Sequence, residues 1–286
     1  MKIMLANVAV AEEGAESSRF VKDVLVPAWR RNFDLVRQPD TSITARFPQW
    51  GITGLDGFFF SYLDLLNAQS VFHAAVQAEK EGFDAVLITC FGDPLLYPIR
   101  QALNIPVVSL GESSMLLASL MGSKFGIVTI SAYNIFEQEH VIAKYGLAHR
   151  YAGSRPNPEP AEEQPLALVD SRNAISAFKS AARKLIADGA EIIIPGCGLL
   201  SPALRLAPGA GSEYPDGLTE VDGVPVMDVM AAALKSAETL VALKRGDSAW
   251  ISRKGLFAQA TQAALASGRM VLEDDRMTYW DIPVCT

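Results

Sequence analysis

Two cysteines occupy equivalent positions in an internal repeat of the sequence. The segment GFDAVLITC, which ends at Cys90, aligns with the segment GAEIIIPGC, which ends at Cys197, at an offset of 107 positions. In both copies a helical pattern ends in Gly, an acidic residue opens an apolar run, and Cys follows. Turn-forming residues come next, FGDP after Cys90 and Gly after Cys197. The repeat therefore predicts two thiols at the carboxyl ends of two related strands.

A pair of thiols that faces one cleft can transfer protons at a carbon centre. Ligands of open α/β sheets bind at the carboxyl ends of the strands, and backbone N–H groups at a following helix N-terminus stabilise a thiolate or bind a carboxylate. One thiolate can remove a hydrogen α to a carbonyl or carboxylate, and one thiol can return a proton to the opposite face. The backbone N–H groups that follow Cys90 and Cys197 would stabilise the enolate. We therefore expect no metal and no organic cofactor.

The alternative for each cysteine is a packing role, because a free thiol often behaves as a small buried apolar group. Cys285 has no counterpart in the repeat, and packing is the favoured interpretation for it. Three cysteines without a CxxC pair are typical of a reducing compartment. The apolar run after Lys2 resembles a signal peptide only loosely and is better explained as a buried first strand. A cytoplasmic location is expected.

The pattern of apolar residues indicates an α/β fold. Short apolar runs alternate with longer helical patterns, as in βα units around a mostly parallel sheet. The predicted strands are Lys2–Val8, Phe83–Thr89, Pro106–Leu110, Lys124–Ile130, Ala190–Pro195 and Pro225–Asp228. The predicted helices are Ser17–Asn32, Tyr62–Glu81, Pro94–Leu103, Glu112–Met121, Ala132–Tyr145, Leu166–Ala187 and Val229–Lys244. With the repeat, this predicts two pseudo-symmetric lobes, residues 1–111 plus 229–286 and residues 112–228, with the site in the cleft between them.

Three stretches do not fit this alternation. Gln38–Phe60 is predicted to form a loop or hairpin near the first strand. Its aromatic residues could face the substrate or pack between subunits, and core or interface is the favoured interpretation. Gly153–Pro165 contains several prolines and is predicted to be a stiff connection. Ala207–Gly223 is predicted to be a long loop. Any of the three could cover a site.

Composition excludes several classes of partner. The 286 residues carry a formal net charge of −7, and no run of Lys or Arg is longer than Arg30-Arg31. This charge pattern argues against nucleic acid and anionic membranes as partners. The longest stretches without charge span 14 residues, fewer than the roughly 18 needed to cross a bilayer. The histidines His73, His140 and His149 show no metal-ligand spacing.

Several segments resemble the aspartate/glutamate/hydantoin racemase superfamily. They are DAVLITCFGDP (Asp84–Pro94), IPVVSLGE (Ile105–Glu112), FGIVT (Phe125–Thr129) and AEIIIPGC (Ala190–Cys197). The CFGDP segment is most similar to the hydantoin racemase branch. The resemblance implies two α/β lobes with the site between them, and cofactor-independent racemisation by two cysteines, here Cys90 and Cys197.

The same resemblance implies positions that bind substrate. Asn7, at the end of the first strand, matches a substrate-contacting Asn of hydantoin-type members. Phe91, Gly92 and Gly198 match positions whose backbone groups bind the substrate carboxylate or carbonyl. Thr129 matches a position that often provides a hydroxyl.

Two further residues are less straightforward. Tyr133 is similar to a tyrosine of the arylmalonate decarboxylase and maleate isomerase branches. Asp93 precedes Pro94 and is interpreted first as a helix N-cap and second as a polar substrate-binding group near the cleft.

Three functions remain open from the sequence. The first is a racemase or epimerase acting on an amino acid or a hydantoin-type carbon acid. The second, motivated by Tyr133, is a cis–trans isomerase of an unsaturated diacid, in which one thiolate adds to the double bond. The third is a two-lobed protein that binds a small carboxylate without altering it. In each case the expected partner is a small carboxylate or hydantoin, and a homo-oligomer is expected.

Overall fold

The computed structural model describes residues 1–11, 16–159, 163–267 and 279–285. Pro160, in the predicted stiff connection, lies outside the described residues. The strands are β1 (Lys2–Ala6), β2 (Ser42–Pro48), β3 (Ala85–Ile88), β4 (Val107–Ser109), β5 (Phe125–Thr129), β6 (Tyr151–Pro156), β7 (Ile192–Gly196), β8 (Glu220–Val221), β9 (Val224–Pro225) and β10 (Tyr279–Cys285). The α-helices are α1 (Glu16–Phe20), α2 (Val26–Asp34), α3 (Ser61–Lys80), α4 (Leu96–Ala102), α5 (Leu110–Met121), α6 (Asn134–Lys144), α7 (Arg172–Ala187), α8 (Leu200–Leu206), α9 (Val229–Arg245) and α10 (Gln262–Ser267).

Two sheets form the framework of the protein. The first has the order β10-β2-β1-β3-β4 and the second β6-β5-β7. All strand pairs in these sheets are parallel except β10, which is antiparallel to β2. The order β2-β1-β3 in the first sheet corresponds to β6-β5-β7 in the second, so the strands of the sequence repeat, β3 and β7, occupy equivalent places. The predicted α/β fold, with mostly parallel sheets flanked by helices, is confirmed.

The equivalence of the two sheets extends to the chain beyond β4. Val226 pairs with Ile193 by a single parallel bridge and takes the place beside β7 that β4 takes beside β3. Helix α5 follows β4, helix α9 follows Val226, and the two helices pack against each other. Because α5 also contacts β7 and α9 also contacts β3, this helix pair joins the two sheets.

The core lies on both faces of the central strands. Residues of β3 and β7 are buried throughout, as an apolar run without polar alternation predicts for a parallel strand covered on both sides. Helix α7 buries a stripe that includes Ile175, Phe178 and Leu185. None of the described helices is long and apolar enough to cross a membrane.

The prediction of a loop or hairpin over Gln38–Phe60 is wrong for its first part. Strand β2 lies there, parallel to β1, between β1 and β10. Arg46 lies within this strand and is buried. Arginine is rarely buried, so its presence does not predict a buried strand. Its guanidinium is paired with Asp281 and Glu81, each at 2.6 Å. Charges distant in sequence thus compensate the buried cation.

The helix boundaries around residue 170 also differ from prediction. The single helix predicted over Leu166–Ala187 is divided into a 3-10 turn, Gln164–Leu168, and α7. The backbone N–H of Ser171 donates to the carbonyl of Pro208 at 2.8 Å, which holds the junction in place. The predicted stiff connection over Gly153–Pro165 begins with strand residues, since β6 pairs with β5.

Candidate active site

A cavity of about 1070 Å³ lies between the two sheets, at the carboxyl ends of four parallel strands. Strands β1 and β3 reach it from the first sheet, and β5 and β7 reach it from the second. The lining residues at these strand ends are Asn7, Thr89, Cys90, Thr129, Ile130, Gly196 and Cys197. The last residues of the two copies of the repeat, Cys90 and Cys197, therefore line one cavity. Ligands of parallel α/β sheets bind at these carboxyl ends of the strands.

Both predicted thiols line this cavity, one from each sheet. Cys90 follows β3 and Cys197 follows β7, and both are free. The backbone N–H of Gly92 donates to the sulfur of Cys90. The backbone N–H of Leu199 donates to Cys197 Sγ at 3.3 Å. The strand-end turns thus supply hydrogen-bond donors to each sulfur, which favours the thiolate.

The surroundings of the two thiols differ in charge. Burial raises the pKa of the Cys90 thiol well above its usual value, and the carboxylate of Asp64 raises it further. Burial also raises the pKa of Cys197, while two backbone N–H groups oppose this rise and no carboxylate of the described residues adds to it. Because negative charge disfavours a thiolate and N–H donors favour it, the local field supports ionisation of Cys197 over Cys90.

The turn after Cys197 packs directly on the other sheet. A Cβ at Gly198 would lie 3.0 Å from the backbone oxygen of Thr89 and 3.1 Å from Leu110 Cδ1. The indole N–H of Trp29 donates to the Gly198 carbonyl at 3.2 Å. Only glycine allows this approach without displacing a backbone atom, so Gly198 brings the two strand-end turns together.

The remaining strand-end polar groups have defined hydrogen bonds. Asn7 Oδ1 accepts from the backbone N–H groups of Val8 at 2.7 Å and Ala9 at 3.2 Å, which leaves the Asn7 Nδ2 group to donate to a ligand. Thr129 is fully buried, and its Oγ1 accepts from Gln138 Nε2 at 2.8 Å. A hydroxyl that accepts in this way keeps its own proton to donate.

Three other predicted site residues are placed as follows. Phe91 is 5% exposed and lines the cavity together with Gly92. Tyr133 also lines the cavity, but at its mouth: its side chain is 72% exposed and stacks on Phe59 with ring centroids 5.9 Å apart.

Asp93 does not lie among the residues that line the cavity. It is 4% exposed, and its carboxylate accepts from the N–H groups of Gly111 at 2.9 Å and Glu112 at 2.7 Å and from the hydroxyl of Tyr145 at 2.7 Å. Asp93 therefore caps α5, not the helix after Pro94 as the sequence predicted. Burial raises its pKa to about 6. The structure places this carboxylate behind the turn that carries Cys90, which it anchors to α5.

Tyr145→Phe tests this anchor. We expect the free energy of unfolding to fall by about 1.5–3 kcal/mol above pH 7, because a buried hydrogen bond to an ionised carboxylate is lost. The loss should shrink as the pH drops through the pKa of Asp93, about 6, since the bond is charge-assisted only while the carboxylate is ionised. Urea denaturation at several pH values measures both effects.

Tyr151→Phe is the matched control for this experiment. Its hydroxyl donates to Ser154 Oγ at 2.7 Å, a neutral acceptor, so its loss should be about 0.5–1.5 kcal/mol. A Tyr145→Phe loss that is no larger than this and independent of pH would contradict the role given to Asp93.

The cavity contains groups that the sequence analysis missed. Asp64 on α3 and Glu137 on α6 both line it, and so do Phe58 and Phe59, from the cluster interpreted as core or interface. Nothing in the sequence pattern distinguishes Asp64 or Glu137 from other acidic residues on helices. No group of three or more His, Cys, Asp or Glu among the described residues is arranged to hold a metal ion.

The fold and the site together define a class of protein: two lobes built on parallel sheets, with one cysteine from each lobe in the cleft between them. Comparison with known proteins places the chain within that class. The family model described as Asp/Glu/Hydantoin racemase matches residues 60–237. A hydantoin racemase from Pseudomonas sp. (strain NS671) is 31% identical over 212 residues, which is 73% of this chain and 78% of that protein.

Solved structures agree with this assignment. An allantoin racemase from Pseudomonas fluorescens is 25% identical, with a TM-score of 0.67, over 91% of this chain and 97% of that one. An allantoin racemase from Klebsiella pneumoniae, 24% identical, shares the fold with a TM-score of 0.68 over 92% of this chain and 94% of that one. The chain belongs to the Asp/Glu/hydantoin racemase family, and it is an isomerase of the racemase type. The family resemblance predicted from sequence is confirmed.

Proposed function

We propose that the protein racemises a hydantoin-type carbon acid without a cofactor, with Cys90 and Cys197 acting from opposite faces of the reacting carbon. The observation that carries this proposal is that both thiols line one cavity from two different sheets, at equivalent strand ends. The relatives named hydantoin racemase and allantoin racemase support the same ring chemistry.

The proposed reaction is a balanced transfer of two protons. The thiolate of one cysteine takes the hydrogen from the ring carbon C5, and the electron pair moves onto the neighbouring carbonyl oxygen as an enolate. The thiol of the other cysteine then donates its proton to the opposite face of C5. The enzyme is left with the protonation of Cys90 and Cys197 exchanged, which is the form that processes the opposite enantiomer.

The other strand-end groups would hold the ring and the enolate. Asn7 Nδ2 is a donor available to a ring carbonyl group, and the buried Thr129, held by Gln138, forms part of the wall beside it. The backbone at Gly92 and Gly198 lines the cavity beside the two sulfurs. Fixed donors at the position where negative charge develops stabilise an enolate without reorganisation.

The charge of the cavity favours a neutral ring over a free carboxylate substrate. None of the described residues that line it is Lys, Arg or His, while Asp56, Asp64 and Glu137 are all present. A free aspartate, a glutamate or a maleate dianion would find no cationic partner there and would meet like charges. A hydantoin replaces the amino acid carboxylate by a neutral ring amide. This observation favours hydantoin racemisation over the diacid isomerase suggested by Tyr133.

The substrate class is tested by incubating the protein in heavy water with maleate and with single enantiomers of a 5-substituted hydantoin, aspartate and glutamate. We expect loss of the C5–H signal in NMR spectra and loss of optical activity with the hydantoin only. Hydantoins racemise slowly on their own, so an incubation without enzyme at the same pH is subtracted. Exchange of aspartate or glutamate, or conversion of maleate to fumarate, without turnover of the hydantoin would overturn the proposal.

A further inference from the structure

One end of the cavity is rich in hydrogen-bond acceptors that lack donors. Asp64, on α3, lines the cavity, and its carboxylate has no hydrogen-bond or ion-pair partner among the described residues. Burial raises its pKa, and the charge of Glu137, on α6, raises it further. Two carboxylates, one from α3 and one from α6, therefore line the cavity and act on each other, and none of the described lining residues is a cation.

A separate observation at the same end points to a missing donor. Asn134 lines the cavity and donates from Nδ2 to the carbonyl of Phe58 at 3.1 Å. Its Oδ1 atom is buried and has no hydrogen-bond partner in the part of the chain that the structure describes. A buried acceptor without a donor costs free energy, so this part of the cavity wall is short of hydrogen-bond donors.

This acceptor-rich end adjoins the catalytic end on one side and the mouth on the other. Of all nearby charges, that of Asp64 acts most strongly on the thiol of Cys90. The stacked rings of Phe59 and Tyr133 line the mouth. Because this end adjoins Cys90, it is within reach of the C5 substituent of a hydantoin held between the two sulfurs.

We propose that Asp64 is a specificity-determining residue that selects hydantoins whose C5 substituent ends in a cationic N–H donor and disfavours substituents that end in a carboxylate. Glu137, which is exposed, adds to the same selection with a smaller effect. The proposal rests on the proposed function, because it names the substituent that the same site would accept. It follows from charge: a cationic N–H donor satisfies the unpaired carboxylate of Asp64, whereas a carboxylate adds a third negative charge next to two others.

The test compares substituents of similar length on one ring. The values of kcat/KM are measured for 5-(3-aminopropyl)hydantoin, 5-propylhydantoin and 5-(2-carboxyethyl)hydantoin, with deuterium exchange at C5 as the assay. For the unmodified protein we expect the amino compound to exceed the carboxyl compound by a factor of about ten or more. In Asp64→Asn this ratio should fall at least fivefold, and in Glu137→Gln it should fall less.

A ratio is the appropriate measure because Asp64 also influences Cys90. A change in the protonation of Cys90 alters all three substrates alike and cancels in the ratio. Glu139→Gln is the matched control, since Glu139 is exposed on the same helix as Glu137 and does not line the cavity. That variant should leave the ratio within about twofold of the unmodified protein.

The outcomes separate the inference from the function on which it rests. If no hydantoin is racemised, the proposed function fails. If hydantoins are racemised but the ratio is near one, or is the same in Asp64→Asn, the inference fails and the function stands. Should Asp64→Asn not fold, the ratio of the amino to the propyl compound in the unmodified protein decides. This amino-to-propyl ratio should decline as the pH is lowered, because the carboxyl group of Asp64 takes up a proton and loses its charge. A ratio that does not change with pH would overturn the inference.

Discussion

Cys90→Ser and Cys197→Ser are each expected to lower the racemisation of a 5-substituted hydantoin by a factor of about a hundred to ten thousand. A serine hydroxyl is far less acidic than a thiol, so it neither ionises to act as a base nor readily donates a proton to the enolate. The change removes little volume, and the backbone donors that surround each sulfur stay in place. Optical rotation of a single enantiomer measures the loss.

The isotope pattern makes this prediction more specific. With one thiol left, a hydrogen can be exchanged only on the face that this thiol reaches. Residual incorporation of deuterium without inversion should therefore occur with one enantiomer in Cys90→Ser and with the opposite enantiomer in Cys197→Ser. Racemisation at near unmodified rates in either variant would contradict the two-cysteine mechanism.

Cys285→Ser is the matched control for both variants. Cys285 lies in β10, is 4% exposed, and approaches Asp34 Oδ1 at 3.6 Å. It packs in the hydrophobic core and does not line the cavity. The same chemical change there should leave kcat/KM unaltered, although the free energy of unfolding can change.

The second large effect is expected in the pH dependence of racemisation. Between about pH 6 and pH 8, kcat/KM should rise about tenfold for each pH unit. Burial raises the pKa of the Cys197 thiol above its usual value of 9.0, so the thiolate that acts as base is a minor form at neutral pH and grows with pH. The pKa of Cys90 is also raised, so the second thiol keeps the proton that it must donate.

The profile is measured as C5–deuterium exchange at constant ionic strength. Spontaneous exchange of the hydantoin also accelerates with pH, so the rate without enzyme is subtracted at each point. A flat profile over this range would mean that one thiol is already ionised at neutral pH, and it would contradict the picture of two buried thiols. Rapid alkylation by iodoacetamide at neutral pH would point to the same conclusion.

Much of the fold could be predicted from local patterns. The apolar runs of β3 and β7 are unbroken because those strands are covered on both faces, and the repeat placed a cysteine after each. By contrast, β2 was missed, since buried Arg46 breaks its pattern and its partners Glu81 and Asp281 are distant in sequence. The predicted lobe boundaries near residues 111 and 228 and the predicted homo-oligomer remain predictions.

Some residues of the candidate site could likewise be predicted from the sequence, and others could not. The two cysteines and the glycines after them stand out because strand ends are visible in the sequence, and the family resemblance added Asn7 and Thr129 at the ends of β1 and β5. Asp93 was assigned to the helix that follows it, whereas its carboxylate caps α5, whose first residues lie far along the chain. Asp64 carried no signal, because a helix pattern does not show which of its acidic residues faces a cavity.

The amino-acid sequence alone determined the class of fold and the pair of thiols, because hydrophobic periodicity and an internal repeat are properties of the chain read in order. Only the tertiary structure decided which groups share the cavity with Cys90 and Cys197 and which carboxylates are left unpaired there. Those features depend on how α3 and α6 approach the strand ends. Electrostatic and hydrogen-bond energies depend on the distance between groups in space, and the number of residues between two groups along the chain does not determine that distance.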